Sequence, residues 1–154
     1  MADQSCELPL SNTSDREIDG ILAAARTIAV VGLSDKPDRD SYRVAAYLQR
    51  NGYRIIPVNP TAREILGETS YPDLASIPAN VAIEIVDIFR KPKFVPAVVD
   101  ASIARGARAV WMQLGIVHNA AADKARAAGV AVVMDRCMQA EHARWLAAGS
   151  QKDS

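Results

Sequence analysis

The stretch from Ile28 to Leu48, IAVVGLSDKPDRDSYRVAAYL, constrains the fold of this chain more than any other. A β-branched run meets one glycine and a serine, passes through charge and proline, and then becomes amphipathic with Val44, Ala45, Tyr47 and Leu48. A continuous apolar strand is buried on both faces, the habit of parallel sheets covered by helices. Strand, turn and helix in succession make the first unit of an α/β fold.

The unit recurs. YRIIPVNP supplies a second strand ending at Pro60, VAIEIVDIF (Val81 to Phe89) a third, ARAVWMQLG a fourth and VAVVMD a fifth. Between them lie helical patterns: one stopped by Asn51-Gly52, one begun near Pro92 and closed by Gly106, an alanine-rich one ending at Gly129, and a last one in RCMQAEHARWLAAG. TAREILGETSYPDLASIP, after strand two, reads as a long connection with turn residues throughout. Ahead of strand one, Ser14 precedes Glu17 at capping-box spacing, with Ile18, Ile21, Leu22 and Ala25 on one helix face.

Parallel strands joined by helices cross over right-handedly, so the pattern predicts a Rossmann-like, doubly wound five-stranded parallel sheet in the order 3-2-1-4-5. A length of 154 residues suits one domain. Its expected bounds are 14–149, after a polar flexible arm over 1–13 and before a short tail over 150–154.

Charge excludes some partners. Eighteen basic residues balance eighteen acidic ones, which gives no electrostatic case for nucleic acid or an anionic membrane surface. No apolar run approaches a membrane span, and MADQSCELPLSNTSDRE lacks the basic start and apolar core of a signal peptide. Cys6 and Cys137 form neither a disulfide framework nor a metal-ligand spacing. The expectation is a soluble cytoplasmic protein without a metal.

In a sheet of this class ligands bind beyond the carboxyl ends of the strands. The candidates there are Gly32, Leu33 and Ser34 after strand one and Val58, Asn59 and Pro60 after strand two. Asp87, Ile88, Phe89 and Arg90 follow strand three, Met112 and Gln113 strand four, and Asp135 to Cys137 strand five. Gly32 lets backbone amides approach an anion, Ser34 adds a donor, and the helix opening near Asp40 or Ser41 adds partial positive charge. Arg39 and Arg43 would neutralise more, although the aspartates of DKPDRD oppose an anion and a solvated loop is the alternative. An NAD site ordinarily has a carboxylate at the end of strand two. Here that strand ends in Pro57-Val58-Asn59-Pro60, and only Arg63 offers a partner for an NADP 2′-phosphate.

The motifs VVGLSDKPDRDSYRVAAYLQRNGYRIIPVNP, ILGETSYPDLASIP, VDIFR, WMQLG and DRCMQAEHAR, in this order, resemble the small single-domain CoA-binding proteins. Their fold is similar to the CoA-binding domain of the succinyl-CoA synthetase α subunit, and the resemblance runs from about Ile18 to Trp145. It implies that Gly32, Leu33 and Ser34 meet the CoA phosphates, with Arg39 and Ser41 beside them, and that Val58, Asn59 and Pro60 border the adenosine end. Asp87 to Arg90, with Val95, and Met112 with Gln113 would line the path of the pantetheine arm. The synthetase's phosphorylated histidine has no counterpart: His118 and His142 lie in no matching motif and read as surface or helix-flank residues.

One other group carries chemistry. If Asp135 caps the last helix, Cys137 falls in its first turn, where the helix dipole and Arg136 favour thiolate, with Glu141 one turn on. The alternative is that Cys137 packs as a small hydrophobe while Glu141 and Arg144 form a structural ion pair. Trp111 and Met112 read most simply as core. The sequence therefore points to a binding module for a small molecule, coenzyme A or an acyl-CoA, with no nucleophile–base–orienter set. The readings left open are an NAD(P)-dependent oxidoreductase or a CoA-linked transferase in the same crevice, and a regulatory partner of another protein.

Overall fold

Five parallel strands form the central sheet of the computed structural model, which describes residues 7–152: β1 (Thr27–Val31), β2 (Arg54–Val58), β5 (Ile85–Ile88), β6 (Ala109–Met112) and β7 (Ala131–Val133). Helices α1 (Asp15–Ala24), α2 (Asp40–Arg50) and α5 (Met138–Lys152) cover one face, and α3 (Val95–Ala104) and α4 (Asn119–Ala127) the other. Successive residues of β1 show why this needs apolar runs: Ile28 and Val30 enter the core with α1, α2 and α5, Ala29 and Val31 the opposite one. At the start of α1, Ser14 Oγ accepts from Glu17 N at 3.2 Å, the expected cap.

The doubly wound parallel sheet is as expected, but its order is not. The strands run β2-β1-β5-β6-β7, which is 2-1-3-4-5 among the five expected strands and not 3-2-1-4-5. Strand three lies on the other side of strand one, with Ile28 opposite Ile85 and Val31 opposite Ile88. Pro57 supplies the physical reason. A proline inside a strand has no N–H for a second neighbour, so β2 belongs at the sheet edge. Among the described residues its outer side takes only an isolated bridge to Tyr71, whose N donates to Pro57 O at 3.0 Å.

The connection from β2 to β5 is not featureless either. A small hairpin, β3 (Glu64–Ile65) with β4 (Glu68–Thr69), turns at Leu66 and Gly67, both at positive φ. Two-residue hairpin turns of this kind usually advertise themselves as Asn-Gly or Asp-Gly, and Leu-Gly does not. The chain then crosses the α3 face, burying Leu74, Ile77 and Ile83. Arg105, just after α3, holds this crossing by donating to the carbonyls of Leu74, Ile77, Pro78 and Val81 at 2.6–3.2 Å. Strand three itself starts at Ile85 and not at Val81.

At the other sheet edge, residues of the expected arm run beside β7. Asn12 Nδ2 donates to Met134 O at 2.8 Å, Met134 N donates to Asn12 Oδ1 at 3.1 Å, and Thr13 Oγ1 donates to Val132 O. Farther out, Leu10 N and Glu7 both bond Asn119 at the start of α4. Residues 1–6 of that arm, with Cys6, and 153–154 of the tail lie outside the described residues. Among the described residues no helix is long and apolar enough to cross a membrane.

Candidate functional site

With strand three beside strand one, the winding direction reverses between β1 and β5, and the crevice of such a sheet lies at that reversal. Gly32 stands there. Its N donates to Val58 O at 3.0 Å, while Phe89 N, from the end of β5, donates to Val31 O at 2.9 Å. Gly32 has φ +85°, and a Cβ on it would lie 2.5 Å from Phe89 O and 3.1 Å from Arg90 Cδ. No larger side chain fits, so the backbone is bare where three strands end.

Ser34 and Ser41 fasten the loop that follows. Ser41 Oγ accepts from Ser34 N at 3.0 Å, and Ser34 Oγ accepts from Lys36 N at 3.1 Å. Both hydroxyls keep a proton to donate. Arg39 is exposed at the N-terminal boundary of α2, and neither it nor Arg90 has an acidic partner within 4 Å among the described residues. Arg43 is not similarly free: it pairs with Asp40 and donates to Asp38 O at 2.7 Å. Arg90 is placed by Phe94, its Cζ 4.1 Å from the ring centroid, a cation–π contact.

Asn59 occupies the place where a dinucleotide site would put a carboxylate, and its side chain is committed. Its Nδ2 donates to Leu33 O at 2.9 Å, and its Oδ1 accepts from Thr61 N and Ala62 N. The amide therefore braces the loop after β2 against the loop after β1. Val31, Gly32, Val58, Pro60, Leu74 and Arg90 line a cavity of about 200 Å³ on the α3 side.

The remaining sequence-predicted residues divide by burial. Gly32, Ser34, Arg39, Asn59, Pro60, Phe89 and Arg90 reach the surface of the crevice region. Leu33, Ile88, Val95 and Met112 are fully buried, and Val58 nearly so, which leaves chiefly their backbones to meet a ligand. Gln113 is 3% exposed and lines a second cavity, of about 360 Å³, between the starts of α2 and α5. Asp87 does not reach the crevice: it is fully buried between Val30 and Trp111.

Sequence reasoning missed the pair these two make. Gln113 Nε2 donates to Asp87 Oδ1 at 2.5 Å, and Gln113 Oε1 accepts from Met138 N at 3.2 Å. Asp87 Oδ2 has no side-chain partner among the described residues. Burial drives the Asp87 carboxyl up to about 7, against the opposing hydrogen bonds from Gln113 and the backbone. Gln113, not Asp135, thus caps the last helix: Asp135 sits at φ 58° and accepts from Gly115 N at 2.7 Å. Cys137 accordingly precedes the helix, its carbonyl accepting from Glu141 N at 3.0 Å, and it lies in the wall of the second cavity. Glu141 pairs with Arg136 and Arg144, and Arg144 also with Asp19 of α1, the structural reading of those charges.

The histidines are both engaged. His118 Nδ1 accepts from Ala121 N and caps α4. His142 is not a surface residue: it is 3% exposed, hydrogen-bonded to Tyr47 Oη at 2.9 Å and met edge-on by Tyr47, Tyr53 and Trp145. The amphipathic period placed it correctly on a helix but gave no sign that a polar ring faced inward.

Known proteins bear on this geometry. The family described as a CoA binding domain matches residues 26–143, from the start of β1 into α5 and so across every element that builds the crevice. The chain belongs to the CoA-binding domain family. It is 40% identical over 134 residues to the uncharacterized protein YneT of Bacillus subtilis, covering 87% of this chain and 98% of that one. A solved structure of a hypothetical protein from Pyrococcus horikoshii is 40% identical with a TM-score of 0.84, covering 95% of this chain and 99% of that one. An ADP-forming acetate–CoA ligase of Archaeoglobus fulgidus is 31% identical over 83 residues, 53% of this chain but only 12% of the ligase. The part shared with the ligase is thus a small piece of it.

Proposed function

We propose that this CoA-binding domain holds coenzyme A or an acyl-CoA across the carboxyl ends of β2, β1 and β5, as a binding module and not as a catalyst. The observation that carries the reading is the cavity at the ends of β2, β1 and β5, where Phe89 O leaves no room for a side chain at Gly32 and the glycine main chain lines the cradle with Val58, Pro60 and Arg90. That cradle falls inside the segment matched by the family. Arg39 and Arg90 supply uncompensated positive charge for the phosphates, and Ser34 and Ser41 supply hydroxyl donors. The slot bordered by Val58 and Pro60 suits the adenosine end, with Leu33 and Asn59 behind it. Ile88, Phe89, Val95, Met112 and Gln113 form the side toward which the pantetheine arm runs. A cytoplasmic location agrees with this ligand.

No observation favours hydride transfer. The residue at the end of β2 is an amide already bonded to the neighbouring loop. Among the described residues both imidazoles are tied into helix and core contacts, and neither is hydrogen-bonded to Cys137.

Calorimetric titration with CoA and with NAD tests the reading. Saturable heat from CoA is expected, with little or none from NAD, and CoA should also raise the melting temperature. A ligand that binds only the folded state stabilises it by about 2.7 kcal/mol at a hundred times its dissociation constant. Saturable NAD binding with no heat from CoA would overturn it.

A further inference from the structure

The cavity between α2 and α5 has a composition that the nucleotide end of CoA does not account for. Val44 of α2, Phe89 at the end of β5 and Ile116 beyond β6 give it apolar walls, and Gln113, Cys137 and polar side chains at the starts of α2 and α5 complete the lining. At its rim Leu114 is 72% exposed, an apolar side chain with nothing over it. Phe89 joins this cavity to the crevice, since its carbonyl is the group that excludes a side chain at Gly32.

Resting on the CoA reading, we propose that this cavity houses the acyl group of an uncharged short- or medium-chain acyl-CoA, with Gln113 donating to the thioester carbonyl. CoA is a linear molecule with its nucleotide at one end and its sulfur at the other. If the nucleotide lies toward β2, the sulfur falls on the β5–β6 side, where this cavity opens. Gln113 is held in one orientation from both ends: Oε1 takes the proton of Met138 N and Nε2 gives one to Asp87. Of the two hydrogens on Nε2 one remains. The amide therefore presents a donor, which suits a thioester carbonyl and has no counterpart in a free thiol. The single cation of the lining, Arg43, is already paired with Asp40, so a carboxylate-bearing acyl group finds no free counter-charge.

Calorimetric titration of the full chain with CoA, acetyl-CoA, butyryl-CoA and succinyl-CoA tests this. Each buried methylene is worth about fourfold in affinity, so butyryl-CoA should bind about fifteenfold tighter than acetyl-CoA, and succinyl-CoA should gain nothing comparable. Ile116→Trp, which fills the cavity, should flatten the chain-length dependence. Leu114→Ser, at an exposed rim position that cannot unfold the protein, should reduce it. Equal affinity for CoA, acetyl-CoA and butyryl-CoA overturns the acyl site while leaving the CoA reading intact. A chain-length dependence unchanged in both variants overturns the assignment to this cavity. Saturable binding of none of the four compounds overturns the CoA reading itself.

Discussion

Gln113 and Asp87 meet at 2.5 Å between neighbouring strands, and among the described residues the carboxyl oxygen that Gln113 leaves free has no side-chain partner. An ionised carboxylate in that position is expensive. Its carboxyl is pushed from 3.8 up to about 7 by burial, a difference of about 4 kcal/mol between the charge states.

The stability of the folded protein should therefore respond to Asp87 in a definite direction. Because the folded value lies above the unfolded one, the contribution is fully present below pH 3.8 and is lost as pH rises to about 7. Asp87→Asn keeps an acceptor for Gln113 and removes the charge. Its stability should exceed the parent's by up to about 4 kcal/mol at pH 9, with the advantage vanishing toward pH 4. Urea unfolding at the two pH values checks this, and an Asn variant no more stable at pH 9 would show that the carboxylate is not the costly species.

His142 acts with the opposite sign. Burial lowers its value below 6.5, so its contribution is present above pH 6.5 and lost as pH falls beneath that point. His142→Phe should remove the part of the acid destabilisation that begins near pH 6.5, while leaving Tyr47 Oη without its partner. Melting temperatures of parent and variant between pH 7.5 and 5 should converge on acidification; curves that stay parallel would place the titrating group elsewhere.

Gly32→Ala should damage both fold and ligand binding. The left-handed backbone alone costs an alanine about 1 kcal/mol or more, and Phe89 O must also withdraw. A loss of about 1–3 kcal/mol in chemical denaturation is expected, together with CoA affinity weakened at least tenfold. Wild-type stability in this variant would mean that the close approach is not as drawn.

Asn12 imitates a neighbouring strand for β7, filling both its donor and its acceptor at Met134. An exposed edge is a template for self-association. Asn12→Ala should lower stability by about 1–3 kcal/mol and shift the sedimentation profile toward larger species at high concentration. A variant as monodisperse and as stable as the parent would remove the protective role from this contact.

Arg105 makes four donations to carbonyls of the crossing between β4 and β5. Hydrogen bonds from a charged group are worth about 1.5–3 kcal/mol, and Arg105→Met, which keeps the aliphatic stem, should lose an amount in that range. Hydrogen exchange should rise first at residues 74–83, and uniform protection there would contradict the clamp.

What the sequence by itself determined is what depends on short-range periodicity. Five apolar runs, the Ser14 cap, the glycine stop at Gly52 and the bare turn at Gly32 are set by neighbours a few positions apart, and they led to the α/β class and to the carboxyl end of β1. Pro57 also carried the strand order, since an imino group denies β2 a second neighbour, but that signal has meaning only once the strands are arranged side by side. Leu66-Gly67 hid a hairpin because leucine seldom takes positive φ. Tertiary structure alone decided that Asp87 and Gln113, twenty-six residues apart, share a hydrogen bond, that Gln113 and not Asp135 starts the last helix, and that His142 turns into an aromatic box. Those outcomes follow from sheet register and helix docking, which bring together groups that no local pattern relates.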